Sequence, residues 1–245
     1  MIKISVITPT LNSANSIARL INSLNIFSIL GIAWELVIVD GGSTDATVDI
    51  VRSFKCNLKL ISEVDGGIYD AMNKGIKISS GDWLLFIGSD DYLNIKIDGM
   101  KLKKSFKVAK INRFDFISFT SVRDYGYKQE RLTAKPRLLP FTNSIPHPST
   151  FIRKNTAIKG YSLKYKIASD YEFFLKKFIN GSKFLVIDEI LTVHSYGGTS
   201  SDIEKSQNEV KAIQKRILPG PAYFIVSSLT IIRKKVKKIT QKNKT

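Results

Sequence analysis

Two adjacent carboxylates, Asp90 and Asp91, follow the wholly apolar run Trp83-Leu84-Leu85-Phe86-Ile87. Side by side at a strand end, they repel each other unless a cation or donor sits between them. A divalent ion such as Mg2+ or Mn2+ answers that need and typically keeps diphosphate oxygens in its shell. The bland alternative is a solvated turn or a cap. Asp40 ends a second apolar run, Glu35-Leu36-Val37-Ile38-Val39. It suits either a nucleobase N–H or the cap of the following helix, although Asp45, in the first helical turn, suits the cap better. Asp65 stands before Gly66-Gly67 as Asp40 stands before Gly41-Gly42. Such glycines either let backbone approach a ligand or simply form turns.

These carboxylates need elements to hold them together. Ile2, Ile4 and Val6 alternate as in a strand that stops at Thr8-Pro9-Thr10, and Ile17, Leu20, Ile21 and Leu24 recur at helical spacing. Glu35–Val39 reads as a second strand, Val48 and Val51 mark a second helix, and Leu58–Ile61 a third strand. Ile68, Met72, Gly75 and Ile76 mark a third helix, and Trp83–Ile87 the fourth strand. Alternating strands and helices predict a doubly wound, mostly parallel sheet, whose ligands sit beyond the carboxyl ends of the strands. Thr8–Thr10, Asp40, Asp65 and Asp90-Asp91 all fall there. After residue 95 the pattern loosens. A strand is expected at Phe114–Phe119, a polar hairpin or edge over Val122–Leu132 and a short strand at Ser149–Arg153. Tyr171, Phe174, Leu175 and Phe178 form a helix face that closes at Gly181. Late strands are expected at Phe184–Ile187 and Leu191–His194, then a polar helix from about Asp202 to Ile217.

A length of 245 residues with 43% hydrophobic content suits one α/β domain with a short tail. The net charge of +17 implies an anionic partner, whether nucleic acid, phosphorylated ligand or acidic membrane surface. Cys56, the only cysteine, excludes an internal disulfide and fits a reducing compartment. Met1–Ile7 reads as a first strand with no signal peptide.

The motifs Val6-Ile7-Thr8-Pro9-Thr10-Leu11-Asn12, Val37–Thr47 and Leu84–Asp91 together resemble the family-2 glycosyltransferases of GT-A fold. Asp65-Gly66-Gly67-Ile68-Tyr69-Asp70-Ala71-Met72-Asn73-Lys74-Gly75-Ile76 is similar to the subgroup that builds exopolysaccharide and O-antigen units. The resemblance covers about 2–95 closely and 145–200 more loosely. It implies a Rossmann-like sheet in one domain, 1–218, with a nucleotide-binding half (1–95) and an acceptor-side half (96–218). It implies a metal-dependent, inverting transfer of one sugar from a nucleotide-sugar, UDP-linked by expectation, to a polysaccharide or lipid-linked acceptor. Pro9, Thr10 and Asn12 would line the nucleoside pocket, Asp40 would bind the base, and Asp65 would lie near nucleotide or sugar. Asp90 and Asp91 would hold metal and ribose, although Ser89 replaces the first Asp of a strict Asp-x-Asp. Asp170 stands at the place of the catalytic base. Physically it opens a helix, where a carboxylate either caps or takes an acceptor proton; Glu172 is the reserve. His147, in Pro146-His147-Pro148, matches an acceptor-side signature or is simply packed. His194, before Ser195-Tyr196-Gly197-Gly198, either completes a metal shell or is a hydrogen-bonded structural histidine.

Residues 222–232 are apolar but shorter than the ~20 needed to span a bilayer. They lead into Arg233-Lys234-Lys235-Val236-Lys237-Lys238. The segment 219–245 therefore reads as a helical basic tail resting on an anionic membrane, at the cytoplasmic face. A core helix with a solvated end is the alternative. Lys101, Lys103, Lys104, Lys107 and Lys110 offer a second basic face. A sugar nucleotidyltransferase would place a Gly-rich loop with Arg and Lys after the first strand, where Thr8–Asn12 stands instead. A nucleic-acid binder would interleave aromatics with its cations, and 233–245 contains none.

Overall fold

The computed structural model describes residues 2–195 and 202–229. It begins β1 (Lys3–Thr10), α1 (Ile17–Ile29), β2 (Ala33–Asp40), α2 (Thr47–Ser53), β3 (Leu58–Ser62), α3 (Ile68–Ile78) and β4 (Trp83–Phe86). The pairs β1–β2, β2–β3 and β1–β4 are parallel, with Ser5 beside Glu35 and Thr10 beside Asp40. Alternate residues of β2 feed two cores: Val37 and Val39 pack on one face of the sheet, Leu36 and Ile38 on the other. A strand buried on both faces has no polar side to display, which explains the continuous apolar run. α3 lies against β1 only because Gly75 has no side chain; a Cβ there would stand 2.4 Å from Ile7 Cγ2.

Next come β5 (Tyr92–Leu93), α4 (Gly99–Ile111), β6 (Phe116–Asp124), β7 (Gln129–Leu132), β8 (Thr150–Arg153), a short α5 (Lys154–Ala157), α6 (Ser169–Ile179), β9 (Phe184–Ser195) and α7 (Ile203–Ile217). The sheet order is β3-β2-β1-β4-β8-β6-β9-β5, with β7 paired to β6. The strict parallel pattern belongs to the first four strands. Beyond β4 the sheet is mixed, because β8 runs antiparallel to both β4 and β6 while β9 runs parallel to β6. The polar hairpin is β6–β7.

The short β5 and α5 and the longer α4 escape the sequence pattern, and one expected break is not there. α4 carries the five lysines on its outer side and buries only Leu102, Ser105, Phe106 and Ala109. Its apolar stripe is too narrow to read, although Asp98 caps it through the N–H groups of Met100 and Lys101. The two expected late strands are one, β9. Its register against β6 shifts around Thr120, where Asp188 and Glu189 are extra. Asp188 there accepts from Thr120 Oγ1 at 3.1 Å and Arg131 Nη2 at 2.9 Å. A polar bulge in mid-strand mimics a break in the sequence.

Residues 220–229 are helical. Val226 is buried in the core that holds α3 and α6, while Phe224, Ile225 and Leu229 are 71%, 60% and 47% exposed. The basic run 233–238 lies outside the described residues. Among the described residues no helix is long and apolar enough to cross a membrane.

Candidate active site

One cleft of about 1350 Å³ opens over the carboxyl ends of β1 and β4 and runs across to α6. Pro9, Thr10, Asn12, Asp65, Asp90, Asp91, His147, Asp170 and His194 all line it. Residues expected from positions 9 to 194 of the chain are thus brought to one cavity.

The floor is set by loops that fasten each other. Asn12, at φ 48°, accepts the Thr44 N–H on its Oδ1 at 2.9 Å, and its own N–H donates to Ser43 Oγ at 2.8 Å. Thr10 Oγ1 is buried at the end of β1 without a partner, as is Thr8 Oγ1. Thr10 lines the cleft, and among the described residues its hydroxyl has an unused donor and acceptor. Asp65 Oδ1 takes the Gly67 N–H at 2.7 Å, and its Oδ2 leaves only 3.0 Å for a Cβ on Gly41.

Asp40 is not among the side chains that line the cleft. It is fully buried, and its carboxylate accepts from the N–H groups of Gly42 and Ser43, Ser43 Oγ and Ser62 Oγ. Burial alone would raise its pKa, but these bonds outweigh that and hold it below the ordinary value. Ahead of α2, whose N-cap is Ala46 with no side-chain cap bond, Asp45 Oδ1 accepts the Thr47 N–H at 3.0 Å. Asp40 thus ties down the loop after β2.

Asp91 is in the opposite condition. It is 8% exposed and takes one hydrogen bond, from the Gly88 N–H at 3.2 Å. Burial, then the charge of Asp90, push its pKa up to about 8. Arg19 approaches but donates to the Asp90 carbonyl, at 2.6 Å, and not to a carboxylate. Two acidic side chains short of positive charge fit a hard cation. Among the described residues no three His, Cys, Asp or Glu side chains form a complete metal cluster. The fit is therefore to an ion whose remaining shell comes from water and diphosphate.

His194 lines the same cleft and meets two neighbours there. Its Nε2 lies 3.2 Å from Arg123 Nε, which can only donate, and its Nδ1 lies 2.9 Å from Ser121 Oγ. Burial, then the Arg123 charge, lower its pKa to about 4. Both ring nitrogens are engaged in hydrogen bonds. His147 sits deeper, stacked on Phe86 at 5.1 Å with Nε2 2.8 Å from Tyr161 Oη, and burial holds its pKa down.

Asp170, in the first turn of α6, keeps both carboxylate oxygens in hydrogen bonds, from Tyr69 Oη at 3.1 Å and Asn143 Nδ2 at 3.3 Å. Glu172 is no substitute. It is buried on the far side, ion-paired with Lys176 at 2.5 Å and with Arg216 of α7. The sequence reading missed Tyr69, Asn143 and Arg19. Tyr69 falls between Ile68 and Met72 and reads as one more core aromatic. Asn143 and Arg19 carry no local signal.

Residues 5–168 match the family model described as Glycosyl transferase family 2. The chain belongs to that family. This glycosyltransferase is 32% identical over 209 residues to the PGL/p-HBAD biosynthesis glycosyltransferase of Mycobacterium tuberculosis, covering 81% of this chain and 79% of that one. It is 29% identical over 200 residues to the poly(ribitol-phosphate) beta-N-acetylglucosaminyltransferase TarS of Staphylococcus aureus, covering 77% of this chain but only 35% of TarS. The crystal structure of S. aureus TarS 1–349 with UDP-GlcNAc superposes at a TM-score of 0.72 and 24% identity. It covers 94% of the glycosyltransferase and 71% of that chain, a likeness of fold.

Proposed function

We propose that this glycosyltransferase moves one sugar, with inversion and with a divalent metal, from a UDP-linked donor to a saccharide or lipid-linked acceptor. The observation that carries the reading is the common cleft: a cation-seeking acidic pair on one side and Asp170 on the other. The UDP-GlcNAc bound to TarS and the glycan roles in the relatives' names support the donor and acceptor classes.

Residues 1–95 would hold the nucleotide. Pro9 and Asn12 frame the nucleoside, the unpartnered Thr10 hydroxyl bonds it, and Asp65 lies toward the donor. Asp90 and Asp91 would hold Mg2+ or Mn2+, which when bound neutralises charge on the diphosphate leaving group. Residues 96–218 would hold the acceptor, with His147 in the wall of its subsite. Asp170 accepts the acceptor hydroxyl's proton as that oxygen bonds to the anomeric carbon. The bond from that carbon to the diphosphate oxygen breaks, and its electron pair leaves with UDP. One displacement inverts the anomeric configuration.

The tail, 219–245, would rest on an anionic membrane at the cytoplasmic face. Its exposed Phe224, Ile225 and Leu229 would enter beneath the headgroups, and the basic run beyond would meet their charge. Calorimetry with UDP tests the donor site. Binding should require Mn2+ or Mg2+ and should fall at least ~10-fold in Asp91→Asn, the loss of one charged metal ligand. Undiminished, metal-dependent binding by the variant would remove Asp91 from the site.

A further inference from the structure

Tyr69 on α3 and Asn143, in the loop before β8, each meet one oxygen of the Asp170 carboxylate. Tyr69 Oη also lies 2.8 Å from the carbonyl oxygen of Ile167. A phenol carries one proton, and both neighbours are acceptors while Asp170 is ionised. It can satisfy only one of them fully at a time.

The surroundings hold this choice in place. The Ile167 N–H donates to Glu209 Oε2 of α7 at 2.9 Å, and the same carboxylate takes the N–H groups of Lys166 and Ala168 at 3.0 and 2.8 Å. The carbonyl of Ile167 is therefore fixed just ahead of α6. α3 is fixed by Asn73, which bonds the backbone of Tyr161 twice, at 2.8 and 2.7 Å. Burial, then the Asp170 charge, push the Tyr69 pKa well above the ordinary value, so the hydroxyl keeps its proton.

We infer that Tyr69 is a positioning residue that serves both protonation states of Asp170, while Asn143 holds the second oxygen. With Asp170 ionised, the Tyr69 proton points to Oδ1 and the carboxylate has a donor on each oxygen. Once Asp170 has taken the proton of the acceptor hydroxyl, its O–H donates to Tyr69 Oη, and Tyr69 turns its own proton to Ile167. The proton later leaves Asp170 for water, and the phenol returns. The inference rests on Asp170 being the base, and the pair gains and loses one proton per turnover.

The test uses the full chain labelled with 13C and reads the Asp170 carboxyl carbon by NMR, assigned by its loss in Asp170→Asn. Tyr69→Phe should raise the titration midpoint of that carbon by about one unit, because the bond Tyr69 gives to the charged form is stronger than the one it takes from the neutral form. Asn143→Ala, at an exposed position that tolerates change, should raise it by about half as much. The other titratable groups that feel the Asp170 charge are Tyr161 and His147, and the His147 ring is followed in the same spectra. In parallel, UDP release from UDP-GlcNAc, with water as acceptor, should drop ~10-fold in kcat for Tyr69→Phe with KM nearly unchanged. A midpoint that stays within ~0.2 unit in both variants overturns the inference, whatever the turnover. If Asp170→Asn keeps the wild-type rate of UDP release, the base reading fails instead, and the midpoints still report whether Tyr69 holds the carboxylate. If Tyr69→Phe does not fold, fluorotyrosine at position 69, a stronger donor, should instead lower the midpoint, and an unmoved midpoint overturns the inference.

Discussion

Two buried carboxylates lie toward opposite ends of the same parallel sheet, and the chain treats them differently. Glu35, near the amino end, receives Ser5 Oγ, Ser80 N–H and Oγ and Lys3 Nζ, with Lys59 Nζ at 3.3 Å. Burial would raise its pKa, yet these partners outweigh burial and hold it far below the ordinary value. Asp91, at the carboxyl end, has one backbone donor and a like charge beside it, and stands near 8. A charge kept for the fold is completed inside the chain. A carboxylate left incomplete in this way is the one that a bound cation would relieve, as proposed for Asp91.

Asp170→Asn should have the largest effect, because it removes the cleft carboxylate proposed to take the acceptor's proton. Turnover should fall ~10²–10⁴-fold while donor affinity changes little. Near-normal turnover in a UDP-release assay would break the division between donor and acceptor sides.

Glu35→Gln should come next, and in stability alone. It leaves the two lysines and the serine hydroxyls poorly matched, at a cost of about 2–4 kcal/mol in chemical denaturation. The sign with pH follows from its lowered pKa. Glu35 stabilises fully above its ordinary value near 4.5, and that contribution is lost as pH falls toward its folded value. The variant should therefore show a flatter loss of stability in acid.

Asp91→Asn should behave oppositely. A raised pKa gives stability that is complete below the ordinary value of 3.8 and lost as pH rises through about 8. Without metal, the variant should therefore gain about 1 kcal/mol at pH 8, while losing metal-dependent UDP binding. A loss of metal-free stability at pH 8 would place Asp91 with Glu35 among the structural charges.

The smallest effect on the fold is expected where the surface itself is left incomplete. Replacing Phe224, Ile225 and Leu229 with Ser should change stability by less than about 0.5 kcal/mol each, since all three are exposed. Sedimentation with anionic vesicles at low salt should be lost. Deleting the segment is a poorer test, because Val226 would leave the core with it. Retained binding by the triple variant would move the membrane contact to the lysines of α4 or elsewhere.

The carboxyl ends of β1 to β4 were legible because local patterns make them. A strand buried on both faces must read as an apolar run, and the polar residue that ends it marks the edge of the sheet. The sequence alone thus determined the parallel half, its turns and the gathering of Pro9, Thr10, Asn12, Asp65, Asp90 and Asp91. It also determined the α6 helix that carries Asp170. Which carboxylates are saturated was decided only in three dimensions. Asp40 and Asp91 both follow an apolar strand, but Ser62, 22 residues on, helps to complete one, and among the described residues nothing comparable reaches the other. Likewise Tyr69 and Asp170 are 101 residues apart, and Arg123 and His194 are 71 apart. Hydrogen bonds act over about 3 Å, and no local periodicity encodes which distant donor will stand that close. The folded sheet chooses the donor, and with it which residues hold the structure and which remain open to chemistry.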